Sequence, residues 1–184
     1  MHDDELVDHQ ARTQWQGATV LTLASLWPER PRAMVVGLHP VPCSVEAGHY
    51  FQGAVGQRQL RRLTGTGLFD APADDTFYEA GALAAGVGFT NVVPRPASGT
   101  NAVSPDEITL GREVVTRELA AREVPLVVCL TRLPVQALLG SPGTPGFQRG
   151  TVAGARVFRM PGPFTALADV APALDDLRVW LADA

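Results

Sequence analysis

Three short segments constrain the fold more than any other feature of this sequence: Ala33-Met34-Val35-Val36-Gly37, residues 87–93 and residues 126–131. The first is apolar throughout, whereas a strand with one wet face would alternate apolar and polar residues. Continuous apolarity over a short run bounded by turn residues is the pattern of a strand covered on both faces. Helical patterns fill much of the sequence between these segments. Buried strands alternating with helices predict an α/β fold, a three-layer α/β/α sandwich with a short, mainly parallel central sheet. Ligand sites in such sheets form outside the carboxyl ends of the strands. The loops at residues 38–56, 94–99, 131–132 and 161–165 are therefore expected to surround a common crevice.

Local signals place the remaining elements. Ser104-Pro105-Asp106-Glu107 combines a capping serine, a proline suited to the first helical position and a glutamate three residues on. It predicts a helix running to about Arg122, with Ile108, Val115 and Leu119 on its buried face. Residues 18–26 read as a strand or a helix turn, and residues 38–56 as a loop without regular structure. Residues 58–63 and 75–85 read as short helices, and residues 133–139 as one or two helical turns. Residues 151–153 and 156–160 flank Gly154 like a hairpin, and residues 166–182 supply a final helix. Residues 1–16 are polar and read as a loosely held lead-in or short helix, followed by a single α/β domain over residues 17–184. A chain of 184 residues suits one well-filled core.

All fifteen basic residues are arginine. Without lysine there is no Walker-type phosphate lysine, no pyridoxal Schiff base and no lysine nucleophile. The net charge of −4 argues mildly against broad nucleic-acid affinity, although a local arginine cluster suffices for it. Arg58, Arg61 and Arg62 form one such cluster. No apolar run reaches the roughly 18 residues of a membrane span. The acidic Met1-His2-Asp3-Asp4-Glu5 start lacks a secretory layout, so a cytoplasmic protein is the expectation. Cys129 lies in an apolar run and reads as a core residue. Cys43 and His39 offer too few ligands for a metal site, and no metal or organic cofactor is expected.

Candidate site residues gather at two strand ends. Gly37-Leu38-His39-Pro40 presents an imidazole at the expected crevice, or else a loop histidine with a local hydrogen bond. Gly48-His49-Tyr50-Phe51 offers a stacking platform for a planar ligand, or aromatic packing that holds the loop to the core. Phe89-Thr90-Asn91 sets a carboxamide late in a buried strand. It can read a lactam edge or hold a water, because it both donates and accepts; alternatively it bonds to the following turn. There is no Gly-x-Ser-x-Gly elbow and no dinucleotide glycine motif.

Together, Val36-Gly37-Leu38-His39-Pro40, Gly48-His49-Tyr50-Phe51-Gln52-Gly53 and Gly88-Phe89-Thr90-Asn91-Val92-Val93-Pro94-Arg95-Pro96 resemble the mismatch-specific uracil/thymine-DNA glycosylases of the uracil-DNA glycosylase superfamily. The resemblance covers roughly residues 33–180 and includes Leu110-Gly111-Arg112, similar to a Gly-Gly-Arg helix segment of that family. It implies a monofunctional DNA glycosylase that hydrolyses the N-glycosidic bond of uracil or a related damaged pyrimidine flipped from DNA. It would act as a monomer on uracil- or mismatch-containing duplex. Phe51 falls on the aromatic that stacks on the flipped base, with Tyr50 beside it. Backbone groups of Gly37 and Leu38 fall at the base edge, and Asn91 on a pocket asparagine that handles base and water. His39 stands where the family has an asparagine that positions the attacking water, and Val41 replaces a glycine.

Arg58, Arg95, Gly162, Pro163 and Phe164 are the expected DNA contacts. The final loop, Met160-Pro161-Gly162-Pro163-Phe164-Thr165, lacks the family's serines and arginine, leaving Phe164 as an apolar wedge. These departures keep two alternatives open: a base- or DNA-binding protein without turnover, and a hydrolase of another small N-glycoside.

Overall fold

The three apolar segments form adjacent strands of a sheet whose faces are both covered. The computed structural model describes residues 5–99 and 101–184, so the first four residues of the expected lead-in lie outside the described residues. In chain order the elements are β1 (Gln10–Trp15), β2 (Ala18–Leu23), β3 (Ala33–Gly37), α1 (Pro42–Ala47), α2 (Ala54–Thr64), α3 (Glu79–Ala84) and β4 (Val87–Asn91). They continue with α4 (Pro105–Ala121), β5 (Leu126–Cys129), α5 (Arg132–Leu139), β6 (Gly146–Val152), β7 (Ala155–Arg159) and α6 (Leu167–Asp183). The central sheet has the order β4-β3-β5-β7-β6, and β1 and β2 form a separate hairpin. β3 pairs in parallel with β4 and β5, and β5 with β7, while β6 returns antiparallel to β7. This is the expected three-layer α/β/α arrangement.

Alternate residues of the parallel strands feed two separate cores. Val35, Phe89, Val128 and Phe158 pack with Leu60 and Leu63 of α2, Ala82 of α3 and Val170, Leu174 and Leu177 of α6. On the other face Met34, Val36, Val127, Cys129 and Val157 pack with Val115 and Leu119 of α4 and Val135 and Leu138 of α5. Helix α4 approaches closely because Gly111 has no side chain: a Cβ there would strike the carbonyl of Val92. The predicted capping box at Ser104 and Glu107 is formed. Val115 and Leu119 are buried as expected, whereas Ile108 is only partly buried and Glu107 takes the deeper position.

Several local expectations are corrected. Residues 10–15 form a strand instead of a loose lead-in or short helix. A two-residue turn at Gln16 (φ 46°) and Gly17 (φ 83°) folds β1 onto β2, a backbone matched to strand twist. Trp15, at the end of β1, is buried in the core. The supposed loop 38–56 contains α1 and the start of α2. Pro42 starts α1 and left-handed Gly48 (φ 71°) ends it, leaving six residues, too few for a helical period to show. Of residues 75–85 only Glu79–Ala84 is helical. β6 begins at Gly146, within what the turn residues suggested was loop.

Glu107 joins three of these parts. Its carboxylate accepts from Arg95 Nε (2.7 Å) and Arg95 Nη2 (2.8 Å), from the Ser104 backbone N–H (3.0 Å) and from Trp15 Nε1 (3.2 Å). The bonds from Arg95 pull its pKa down to about 2 against the opposing effect of burial. Because the folded value is depressed, the resulting stability is complete above the ordinary carboxylate range and is lost as pH falls toward 2. We therefore expect Glu107→Gln to lower the unfolding free energy by about 2 kcal/mol at pH 7, less than a fully buried pair because Arg95 is partly exposed. The gap between wild type and variant should narrow between about pH 4.5 and pH 2. Urea denaturation at a series of pH values measures both; equal stability at pH 7 refutes the assigned role.

Candidate active site

The order β4-β3-β5 makes the chain direction across the sheet reverse at β3, and the crevice opens there, as doubly wound sheets require. A cavity of about 200 Å³ lies at these carboxyl ends. Its lining includes Gly37, Leu38, His39, Tyr50, Phe51 and Asn91. The six residues singled out for catalysis and base binding are thus brought to one place.

Register explains the meeting of the two strand ends. Gly37 and Asn91 are direct partners in the β3–β4 ladder. The Asn91 side chain crosses the space over Gly37, so a Cβ at Gly37 would collide with Asn91 Oδ1 and lie 3.0 Å from the Phe51 ring. Asn91 Oδ1 is buried and has no hydrogen-bond partner among the described residues. A buried acceptor without a protein partner is costly, and such atoms in native structures call for a ligand or water. The carbonyls of Gly37 and Leu38 already accept from the backbone N–H groups of Val92 (2.9 Å) and Val93 (2.8 Å).

Phe51 reaches the cavity through a strained backbone. Its φ of 55° lies in the left-handed region, which is uncommon for a bulky residue. Hydrogen bonds on both sides fix this bend. Gln57 Nε2 donates to the Phe51 carbonyl (3.1 Å), and the Gln52 N–H donates to buried Ser44 Oγ (2.9 Å). Tyr50 lines the cavity but belongs mainly to the core, with its hydroxyl donating to the Ala24 carbonyl (2.9 Å). Burial, and then the Glu79 carboxylate, raise its pKa. Its ring supports Phe51 at 5.6 Å and Phe89 at 5.5 Å.

His39 is half-buried, with Nδ1 3.1 Å from the Pro40 carbonyl and Nε2 3.3 Å from that of Gly99. A neutral imidazole donates from one nitrogen alone, so both contacts are hydrogen bonds only in the imidazolium form. Cys43 is exposed, and among the described residues no third ligand joins it and His39.

The expected DNA contacts divide into two groups. Arg95 is committed to Glu107 and to the Ala102 carbonyl (2.8 Å), fixing the loop after β4. Arg58 is exposed, and its guanidinium lies 5.7 Å from the ring centroid of Phe164, itself 78% exposed. The loop of Gly162, Pro163 and Phe164 is tied down by Arg62, which donates to the carbonyls of Gly162 and Thr165 (both 2.8 Å). Beside it an open cleft of about 730 Å³ is lined by Arg58, Arg61, Arg62 and Arg178. Arg61 and Arg178 pair with Asp75 and Asp175. Among the described residues, Arg58, Arg62, Arg132 and Arg159 have no carboxylate partner. Burial and then a neighbouring arginine lower the pKa of Arg62 (Arg58) and of Arg159 (Arg132). Arginine nevertheless stays charged.

Two supporting residues escaped the sequence reading. Gln59 is fully buried and donates from Nε2 to the carbonyls of Leu130 and Pro161 (both 2.7 Å), joining the loops after β5 and β7. A glutamine in line with Leu60 and Leu63 on the apolar side of α2 was the available signal. Glu79 accepts from the Tyr50 N–H at 2.5 Å, and nothing in its local sequence marks it.

With this geometry in place, the sequence model of the Uracil DNA glycosylase superfamily matches residues 24–177, most of the chain. The chain belongs to the uracil DNA glycosylase superfamily. No curated protein matches it. The match spans β3, β4, β5 and β7 and every loop around the cavity. In this superfamily member Gly37 is a position at the cavity where an added Cβ meets the site's own side chains. Gly37→Ala should displace Asn91 and Phe51, narrow the cavity and destabilise the protein by about 1–3 kcal/mol. Urea denaturation measures that cost, and wild-type stability would mean that Asn91 turns away freely.

Proposed function

We propose that this protein is a monofunctional DNA glycosylase that removes uracil or a related damaged pyrimidine, close in its pocket to the mismatch-specific uracil/thymine-acting branch. Superfamily membership supports glycosylase chemistry. One observation carries the assignment to the cavity: the buried, unpartnered Oδ1 of Asn91 stands over Gly37 beside the Phe51 ring. A planar base carrying N–H groups at its edge satisfies that acceptor and stacks on that ring. The duplex must release the nucleotide first, with Phe164 as the apolar wedge and Arg58 at the phosphates.

Cleavage of the glycosidic bond leaves an oxocarbenium-like sugar and a base anion. Hydrogen bonds aimed at that anion are the main source of acceleration. His39, whose two ring nitrogens lie against the carbonyls of Pro40 and Gly99, is placed to offer a hydrogen bond in this electrostatic role. Asn91 positions the water that adds to the sugar, and the proton this water gives up ends on the base anion, so that neutral base and an abasic sugar are the products. No lysine is present to form a Schiff base, which leaves only the N-terminal amine for that route, and an abasic site on an uncut strand is the expected product.

Purified protein should convert uracil-containing oligonucleotides to alkali-labile sites. G·U, A·U and single-stranded substrates compared in parallel give its preference. Asn91→Ala should slow single-turnover cleavage by about 100-fold or more, and Phe51→Ala should weaken substrate binding by about 1–3 kcal/mol. Arg58→Ala should lower the slope of log affinity against log salt by about one, because one phosphate contact is lost. No alkali-labile product at excess enzyme refutes the glycosylase assignment.

The occupied nitrogens of His39 favour one second reading, a base-binding protein without turnover. Retention of uracil-containing DNA with no base released would select it.

A further inference from the structure

A second cluster lies behind the aromatic loop and outside the cavity. One ligand atom from each of His9, His49 and Glu79 falls within 4.8 Å of the others. These residues come from the start of the hairpin, from the turn after α1 and from α3. They are 40 and 30 positions apart, so no sequence spacing reveals them. We propose that His9, His49 and Glu79 form a site for a divalent transition-metal ion, zinc by its ligand chemistry, that clamps the N-terminal hairpin to the loop carrying Phe51.

Four observations support this site. First, two imidazoles and one carboxylate are a ligand set that zinc takes up, with a fourth position left for water. Second, much of the spacing is already in place. His49 Nδ1 and Glu79 Oε2 are 3.2 Å apart, close to the roughly 3.3 Å edge of a tetrahedron with zinc–ligand bonds near 2.0–2.1 Å. His9 completes the site by closing up to about 1.5 Å, from within 4.8 Å to the tetrahedral edge. Third, the two histidine segments are joined directly. The His9 N–H donates to the Gly48 carbonyl (3.0 Å), and the His9 carbonyl accepts from Ala24 N–H (2.8 Å).

Fourth, the outer partners of a metal site are present. Asp8 Oδ2 lies 3.3 Å from His49 Nε2, the carboxylate–histidine arrangement that orients an imidazole ligand and raises its basicity. The Phe77 ring stacks on His49 at 3.7 Å between centroids and limits its rotation. The other Glu79 oxygen, Oε1, holds the Tyr50 N–H at 2.5 Å, so metal bound at Oε2 is linked through one carboxylate to the backbone beside Phe51. Without a metal, His49 stands between two carboxylates, and these contacts are the state with which metal binding competes.

The test uses the untagged 184-residue chain, stripped with chelator and titrated with Co²⁺ and then Zn²⁺. We expect one equivalent of Co²⁺ to give a visible ligand-field band that Zn²⁺ displaces. Zn²⁺ at about 100 times its dissociation constant should raise the melting temperature by on the order of 5 °C. Mg²⁺, which prefers oxygen ligands, should leave it unchanged. His9→Ala lies at a half-buried position and should keep the fold while losing at least about tenfold in affinity. Glu79→Gln retains an oxygen for the Tyr50 N–H and should show the same loss. Absence of saturable binding overturns the proposal, as does equal affinity in His9→Ala. None of these readouts depends on glycosylase activity.

Discussion

The site depends on the pairing of Gly37 with Asn91 at the ends of β3 and β4. Parallel strands place side chains on alternate faces, so a one-residue slip would turn Asn91 away from Phe51 and point Thr90 or Val92 toward it. Such a slip is opposed by the burial of β3 and β4 on both faces, because Met34, Val35, Val36 and Phe89 each fit one of the two cores. The packing of the interior thus sets the geometry of the cavity. A strand-end glycine supplies the room, and the neighbouring strand supplies the group that uses it.

Buried polar side chains fix the loops around that cavity. Glu107 holds the loop after β4 through Arg95, Glu79 holds the aromatic loop through the Tyr50 N–H, and Gln59 joins the loops after β5 and β7. Each sits on a helix packed against the sheet and reaches toward irregular backbone. Both carboxylates use both of their oxygens, which offsets desolvation, whereas Gln59 uses its Nε2 and leaves Oε1 buried without a partner among the described residues. Loops anchored in this way keep their shape without secondary structure of their own, as a preorganised pocket requires.

Much of this was legible in the sequence. The double-sided burial of the sheet follows from the apolar run 33–37, and the start of α4 from Ser104, Pro105 and Glu107. The six cavity residues were found because strand ends and motif residues coincide. A strand was one reading of residues 18–26, but its partner and the hairpin were missed because β1 is half-exposed and the turn begins with Gln16, which adopts a positive φ without the usual Asn or Asp. Helix α1 was too short for periodicity to register. Glu79, Gln59 and His9 act through partners 29 to 102 residues away, and such pairings emerge only when the chain is folded.

The tethering of the final loop by α2 has a consequence for the character of its outer surface. Three of its carbonyl oxygens, those of Pro161, Gly162 and Thr165, are turned toward donors on Gln59 and Arg62. The partial negative charge of this stretch of backbone is therefore directed inward, and part of it is screened by a guanidinium. Outward, the same stretch offers the exposed carbon face of Phe164 with Arg58 beside it. A polyanion approaching the loop meets hydrocarbon and cation in place of oxygen, a polarity produced by folding in a chain whose overall charge is negative.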